Sequence, residues 1–151
     1  LQVDLATDAD VLELSGQMRD VDQLEARLMT GLEPLEALLR QVDASVGEAW
    51  TLRDDDGALI VIFGVVRVSM AGGVVSPWMV ASNRAVGRNE VVAFAKREVL
   101  PVLLKGAKYA SGYVLATNKV GIRWLRFLGF TISDGIAISG RNFLKYEWRA
   151  E

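Results

Sequence analysis

Apolar positions in the first 45 residues recur at helical spacing, and from Glu48 onward they alternate or run continuously. Residues 2–6 alternate well enough for a short strand. Thr7 offers an N-cap hydroxyl, with Asp8 and Asp10 in the first turn, where carboxylates favour the helix dipole. This predicts a helix running to about Met18. A second helix starts at Asp20, places Val21, Leu24 and Leu28 on one face, and stops at Gly31. Pro34 suits the first position of a third helix, which carries Leu35, Leu38, Leu39 and Val42.

Residues 49–53 and 58–68 read as strands joined by Asp54-Asp55-Asp56-Gly57, a strong hairpin signal. The acidic triplet fails as an EF-hand loop, which would need acids where Leu52 and Phe63 stand. Residues 74–81 form a further strand, which Pro77 confines to an edge or a bulge. Residues 89–104 are helical, with Pro101 kinking or shortening the last turn. A strand at 109–117, a helix at 119–128 and strands at 131–138 and 143–149 complete the chain. The order predicts a mixed α/β sheet, antiparallel at the start with α crossovers later, in a single domain spanning residues 1–151.

Composition narrows the chemistry. The 151 residues are 51% hydrophobic, which suits a packed domain. Cys and His are both absent. That excludes a disulfide framework, a Cys nucleophile, a Ser-His-Asp triad and a conventional zinc site. Acid–base work falls to carboxylates, Tyr, Lys, Arg, backbone or water. No basic segment precedes an apolar run at the start, and the uncharged stretch between Arg67 and Arg84 is too short and Gly-rich to span a bilayer. The expectation is a soluble, cytoplasmic protein with no membrane partner and no metal.

Charge is uneven. Residues 1–83 carry 5 Lys and Arg against 14 Asp and Glu, whereas residues 84–151 carry 12 against 5. Either the basic part meets an anion or the two parts attract each other, and charge alone leaves both open. Nucleic acid is disfavoured, because exposed aromatics do not interleave with the basic residues.

Two stretches carry candidate chemistry. Ser82-Asn83-Arg84-Ala85-Val86-Gly87-Arg88-Asn89 lies between a strand and a helix, where backbone N–H groups and arginines suit an anion. The same residues also fit an ordinary turn with solvated arginines. It is neither a P-loop nor a dinucleotide fingerprint. Farther on, Asn118 caps a helix whose apolar face is Ile122, Leu125 and Leu128, Gly129 ends it, and Phe130 enters the next strand.

Asn118-x-x-Gly121-Ile122-x-Trp124-x-x-x-Leu128-Gly129-Phe130 resembles the Asn-x-x-Ala-Ile…Leu-Gly-Phe signature of the GNAT superfamily of acyl-CoA-dependent N-acetyltransferases. Arg84-x-x-Gly87-x-Asn89 resembles that family's pyrophosphate loop, with Asn89 in place of the last small residue. The nearest likeness is to GNAT-like proteins of tailed bacteriophages, including internal virion proteins of short-tailed phages. It is carried by Met18-Arg19-x-x-Asp22, Ile62-Phe63-Gly64-Val65, Pro77-Trp78-Met79, Tyr113-Val114-x-x-x-Asn118 and Ile122-Arg123-Trp124-Leu125.

The resemblance implies a GNAT fold, with a splayed parallel strand pair in a mostly antiparallel sheet flanked by helices, and acetyl-CoA as a substrate. It places the pantetheine amides against Met79, Val80 and Ala81. Arg84, Val86, Gly87, Arg88 and Asn89 would cradle the pyrophosphate, and Asn118 would also contact the cofactor. A backbone N–H near Val80 would polarise the thioester. It also implies an amine acceptor, a small molecule or a protein, attacking directly. Many members protonate the thiolate with a helix Tyr, but here that position is Leu125. Tyr113 is the stand-in acid that the sequence offers. Trp78 would wall the acyl pocket. The alternative is a catalytically weak or silent virion or assembly protein, located in the host cytoplasm or the virion, with virion or homo-oligomer contacts.

Overall fold

The computed structural model describes residues Leu1–Glu151. Its strands are β1 (Gln2–Leu5), β2 (Ala49–Arg53), β3 (Leu59–Ser69), β4 (Val74–Ala81), β5 (Tyr109–Leu115), β6 (Thr131–Ile138) and β7 (Arg141–Arg149). Its helices are α1 (Asp8–Ser15), α2 (Asp20–Thr30), α3 (Pro34–Ala44), α4 (Asn89–Phe94), α5 (Leu100–Leu103) and α6 (Lys119–Phe127). The seven strands follow the order β1-β2-β3-β4-β5-β7-β6. β1/β2, β2/β3, β5/β7 and β6/β7 pair antiparallel, and β4/β5 pair parallel. This is the mixed, mostly antiparallel α/β arrangement that the sequence predicts.

The chain forms two compact units, Leu1–Val66 with Trp78–Arg88, and Arg67–Pro77 with Asn89–Glu151. In the first unit, Val11, Leu14, Met18, Leu38, Leu59 and Ile62 form a buried cluster, with Leu35, Trp78 and Val80 packed against it. Each such side chain contributes roughly 1.5–3 kcal/mol by leaving water, so the cluster is what holds α1 and α3 on their strands. α1 begins with the predicted cap: the Asp10 N–H donates to the Thr7 hydroxyl at 3.3 Å, and the Thr7 N–H donates to the Asp10 carboxylate at 2.8 Å. It ends earlier than the pattern suggests, because Met18 leaves the helix to form an antiparallel bridge with Ser82.

In the second unit, Val91, Val92, Ala95, Val99 and Leu103 are buried along one helical face, and Ala110, Val114, Phe130, Phe143 and Tyr146 are buried on and beside the strands. Pro101 acts upstream of itself. It lacks an N–H and its ring crowds the carbonyl four residues back, and Ala95–Val99 opens into a π-helical stretch before Leu100–Leu103 resumes. β7 starts two residues before its apolar pattern does. Ser139 and Gly140 both have positive φ, 50° and 76°, which makes a two-residue hairpin turn that closes Ile138 onto Arg141.

Candidate functional site

A strand offers its backbone groups alternately to its two neighbours, and β4 can be followed residue by residue. Just before it, the Gly73 carbonyl accepts from the N–H groups of Lys108 and Tyr109, at 2.8 and 3.2 Å. The parallel ladder then runs Val74 with Tyr109 and Val75 with Ala110. The Pro77 carbonyl accepts from the Tyr146 hydroxyl at 2.7 Å. At the far end, the Ala81 N–H donates to the Asp22 carboxylate at 3.0 Å, and the Ala81 carbonyl accepts from the Arg19 N–H at 3.1 Å. Ser82 turns the other way, its N–H donating to the Ile60 carbonyl of β3 at 2.8 Å. The alternation therefore assigns Met79 to the same edge as Pro77 and Ala81, and Val80 to the β3 edge. Met79 is the residue on that edge between the groups held by Tyr146 and those held by Arg19 and Asp22.

The clamp on Ala81 is built from the Met18-Arg19-x-x-Asp22 segment. Asp22 is buried, and the Arg19 guanidinium meets both its carboxylate oxygens at 3.0 Å. A buried carboxylate survives only when it is paired and hydrogen-bonded, and Arg19 and the Ala81 amide do both.

The Ser82–Asn89 loop opens with a buried Ser82, whose hydroxyl lies 2.9 Å from the carbonyls of Leu59 and Ile60. Asn83–Ala85 makes one 3-10 turn, Val86 is exposed, and Gly87 has φ 72°, outside the range L side chains favour. Arg88 does not stand in solvent. Its guanidinium grips Asp54 bidentately, at 2.7 and 2.8 Å. Arg84 lies 3.9 Å from Asp54 and 3.8 Å from Asp56. The Arg88 hydrogen bonds hold the Asp54 carboxyl below the usual carboxylate range. The acidic turn that the sequence offers as a hairpin thus also neutralises the loop arginines. Asn89 is exposed and opens α4.

In the second unit, Asn118 is buried and caps α6, its side-chain oxygen accepting from the Gly121 N–H at 2.9 Å. α6 buries Ile122 and Trp124, and Leu125 is half-buried. Trp78, expected at an acyl pocket, donates its indole N–H to the Ser45 hydroxyl at 2.9 Å and packs on the first unit's cluster.

Tyr113 sits opposite Lys145 in the β5/β7 register. That face also carries Tyr109, whose hydroxyl donates to Glu147 and whose ring lies 4.5 Å from the Arg149 guanidinium. The Tyr109 bond lowers the Glu147 pKa and a Tyr109 contact raises that of Lys145, so both stay charged. Tyr146 points to the opposite face, since neighbouring strand residues alternate. Its ring meets Phe130 edge-on at 5.4 Å, and its hydroxyl crosses the paired Gly112 to reach Pro77. A Cβ on Gly112 would stand 2.2 Å from that hydroxyl. Sequence reasoning missed Tyr146, although a strand-interior Gly is a known signal of close approach.

No family model matches the sequence, and no curated protein does. Solved structures do match. A spermidine N-acetyltransferase from Vibrio cholerae, solved with CoA and spermine, superposes with a TM-score of 0.71 at 9% identity, covering 98% of this chain and 94% of that one. The chain has the GNAT acetyltransferase fold. A candidate acetyltransferase from Acinetobacter baylyi ADP1 gives a TM-score of 0.68 at 16% identity, over 99% of this chain and 92% of that one. A candidate phosphinothricin N-acetyltransferase gives 0.65 at 12%, over 97% and 94%. At these identities the likeness is one of fold. No helix of this GNAT-fold chain is long and apolar enough to cross a membrane, and no three Asp or Glu side chains gather as a metal site.

Proposed function

We propose that residues 1–151 act as a single acetyl-CoA-dependent N-acetyltransferase-like domain with an amine acceptor. The observation that carries this reading is the edge of β4: its ladder with β5 stops after Val75, and Met79 follows on the same edge, between two occupied backbone positions. A bound acetyl-CoA needs an acceptor for a pantetheine N–H and a donor for the thioester carbonyl, and the Met79 carbonyl and N–H supply them. On this reading the polarising N–H near Val80 is that of Met79. Val80 and Ala81 then contribute through side chains.

Arg84, Val86, Gly87, Arg88 and Asn89 follow directly on that strand and would meet the diphosphate. Arg88 must exchange Asp54 for phosphate oxygens, so binding carries an electrostatic cost and responds to salt. Asn118, committed to its helix cap, would contribute by fixing α6. The amine, neutral when it reacts, attacks the thioester carbonyl while the Met79 N–H steadies the developing oxyanion. Titration calorimetry with CoA tests the reading: saturable heat that weakens with added salt supports it, and silence at millimolar CoA removes it.

A second reading, a fold-retaining virion or assembly protein of a tailed phage with little turnover, is favoured by Leu125 at the usual Tyr position and by the Arg88–Asp54 pair. Free-thiol release from acetyl-CoA across an amine panel separates the two.

A further inference from the structure

We propose that the turn between β3 and β4, with the loop that follows α5, is a tip that docks on an anionic lipid surface. Residues 68–83 carry no charge. That stretch is too short to span a bilayer, but contact with a bilayer surface needs only an apolar tip and a positive collar. At the turn Val68 is 67% exposed and Met70 84%, and Val102, one helical turn before Lys105, is 44% exposed. The turn satisfies its own amides: the Gly72 N–H donates to the Ser69 hydroxyl at 3.1 Å, and the Gly73 N–H donates to the Met70 carbonyl at 3.4 Å. It therefore loses little by leaving water for the headgroup layer.

Cations surround this tip. The Arg67 guanidinium donates to the Lys105 carbonyl at 3.3 Å, which ties the strand below the turn to the loop after α5. The Lys108 N–H donates to the Gly73 carbonyl at 2.8 Å, and a Cβ on Gly73 would stand 3.0 Å from the Lys108 stem. Lys105 and Lys108 are exposed, and neither pairs with a carboxylate. An anionic headgroup layer complements this charge, and each Lys or Arg brought to it contributes about five-fold in affinity. The apolar area favours lipid over a protein partner. Three partly exposed side chains fall short of the ~800 Å² per partner that a stable protein interface buries, whereas a fluid headgroup layer accepts a narrow tip without a matching shape.

The chain has no Cys. Met70→Cys and Ile136→Cys therefore each carry a single polarity-sensitive fluorophore, one at the tip and one on an exposed apolar residue of β6. Vesicles of phosphatidylserine and phosphatidylcholine in equal amounts are compared with phosphatidylcholine alone, at low and high salt. The unlabelled wild type should co-float with the anionic vesicles only, and added salt should release it. Lys105→Gln combined with Lys108→Gln should weaken binding by roughly 20-fold, and Met70→Ser by roughly five-fold or more. The label at Met70→Cys should shift to the blue on anionic vesicles, and the label at Ile136→Cys should not. No co-flotation at low salt, equal binding to both vesicle types, equal shifts at both labels, or full affinity in the lysine variant would each overturn the proposal. Binding to poly-glutamate without binding to vesicles would make the tip a docking surface for acidic protein and overturn it as well. Self-association that Met70→Ser abolishes, again without vesicle binding, would assign the tip to a second copy of the chain with the same consequence.

Discussion

Arg88 and Asp54 are joined by two parallel hydrogen bonds, 2.7 and 2.8 Å long, between the loop after β4 and the turn after β2. Two fixed donors and two fixed acceptors make this a strong surface pair, and a diphosphate would compete for the same guanidinium. Replacing Asp54 by Asn should therefore tighten CoA binding at low salt, by roughly five-fold if about 1 kcal/mol of competition is relieved. Calorimetry at low and high salt checks this. Weaker binding would mean that Asp54 positions Arg88 for the ligand.

The same pair sets a pH dependence. The Asp54 carboxyl titrates below its unfolded value of about 3.9, because Arg88 hydrogen-bonds the charged form. Its stabilisation is fully present above the unfolded pKa and is lost as pH falls through the lowered folded value. Thermal unfolding from pH 7 down to pH 2 should show a loss of stability below about pH 4. That loss should be smaller in Asp54→Asn.

Removing both Arg84 and Arg88 by substitution with Ala should weaken CoA binding by about ten-fold or more and flatten its salt dependence. Each charge-assisted bond contributes about 1.5–3 kcal/mol before exposure is discounted. Wild-type affinity in the double variant would show that the loop serves only as a turn.

Asp22→Asn should be among the most destabilising polar substitutions in the chain. It leaves the Arg19 guanidinium, only 11% exposed, short of its counter-charge, which costs about 3 kcal/mol. Gly64→Ala should cost about 1–3 kcal/mol by overpacking, since the new methyl would stand 2.7 Å from the Trp78 ring. Denaturant unfolding measures both, and unchanged midpoints would contradict the packing described.

Much of the fold was legible because its signals are local. The Thr7 and Asn118 caps, the Asp54–Gly57 turn and the break at Pro101 all act within a few residues of themselves. The resemblance carried by residues 84–89 and 118–130 pointed to the GNAT fold that the solved structures share. The partners of the candidate site were not legible. Arg88 meets Asp54 across 34 residues, and Tyr146 meets Pro77 across 69. Such contacts are fixed by strand order and register, which no window of the sequence contains. Edge assignment on β4 likewise needed the bonds of Gly73, Pro77, Ala81 and Ser82 together.

On the proposed function, the Met79 edge and the loop after it bind CoA. The most direct measurement is an amide-resolved NMR titration of the isotopically labelled chain with CoA. Binding at this edge should give saturable shifts at the Met79, Arg84, Gly87 and Arg88 amides with one common affinity, which weakens as salt is added. Saturable shifts confined to other residues, or no shifts at millimolar CoA, would contradict it.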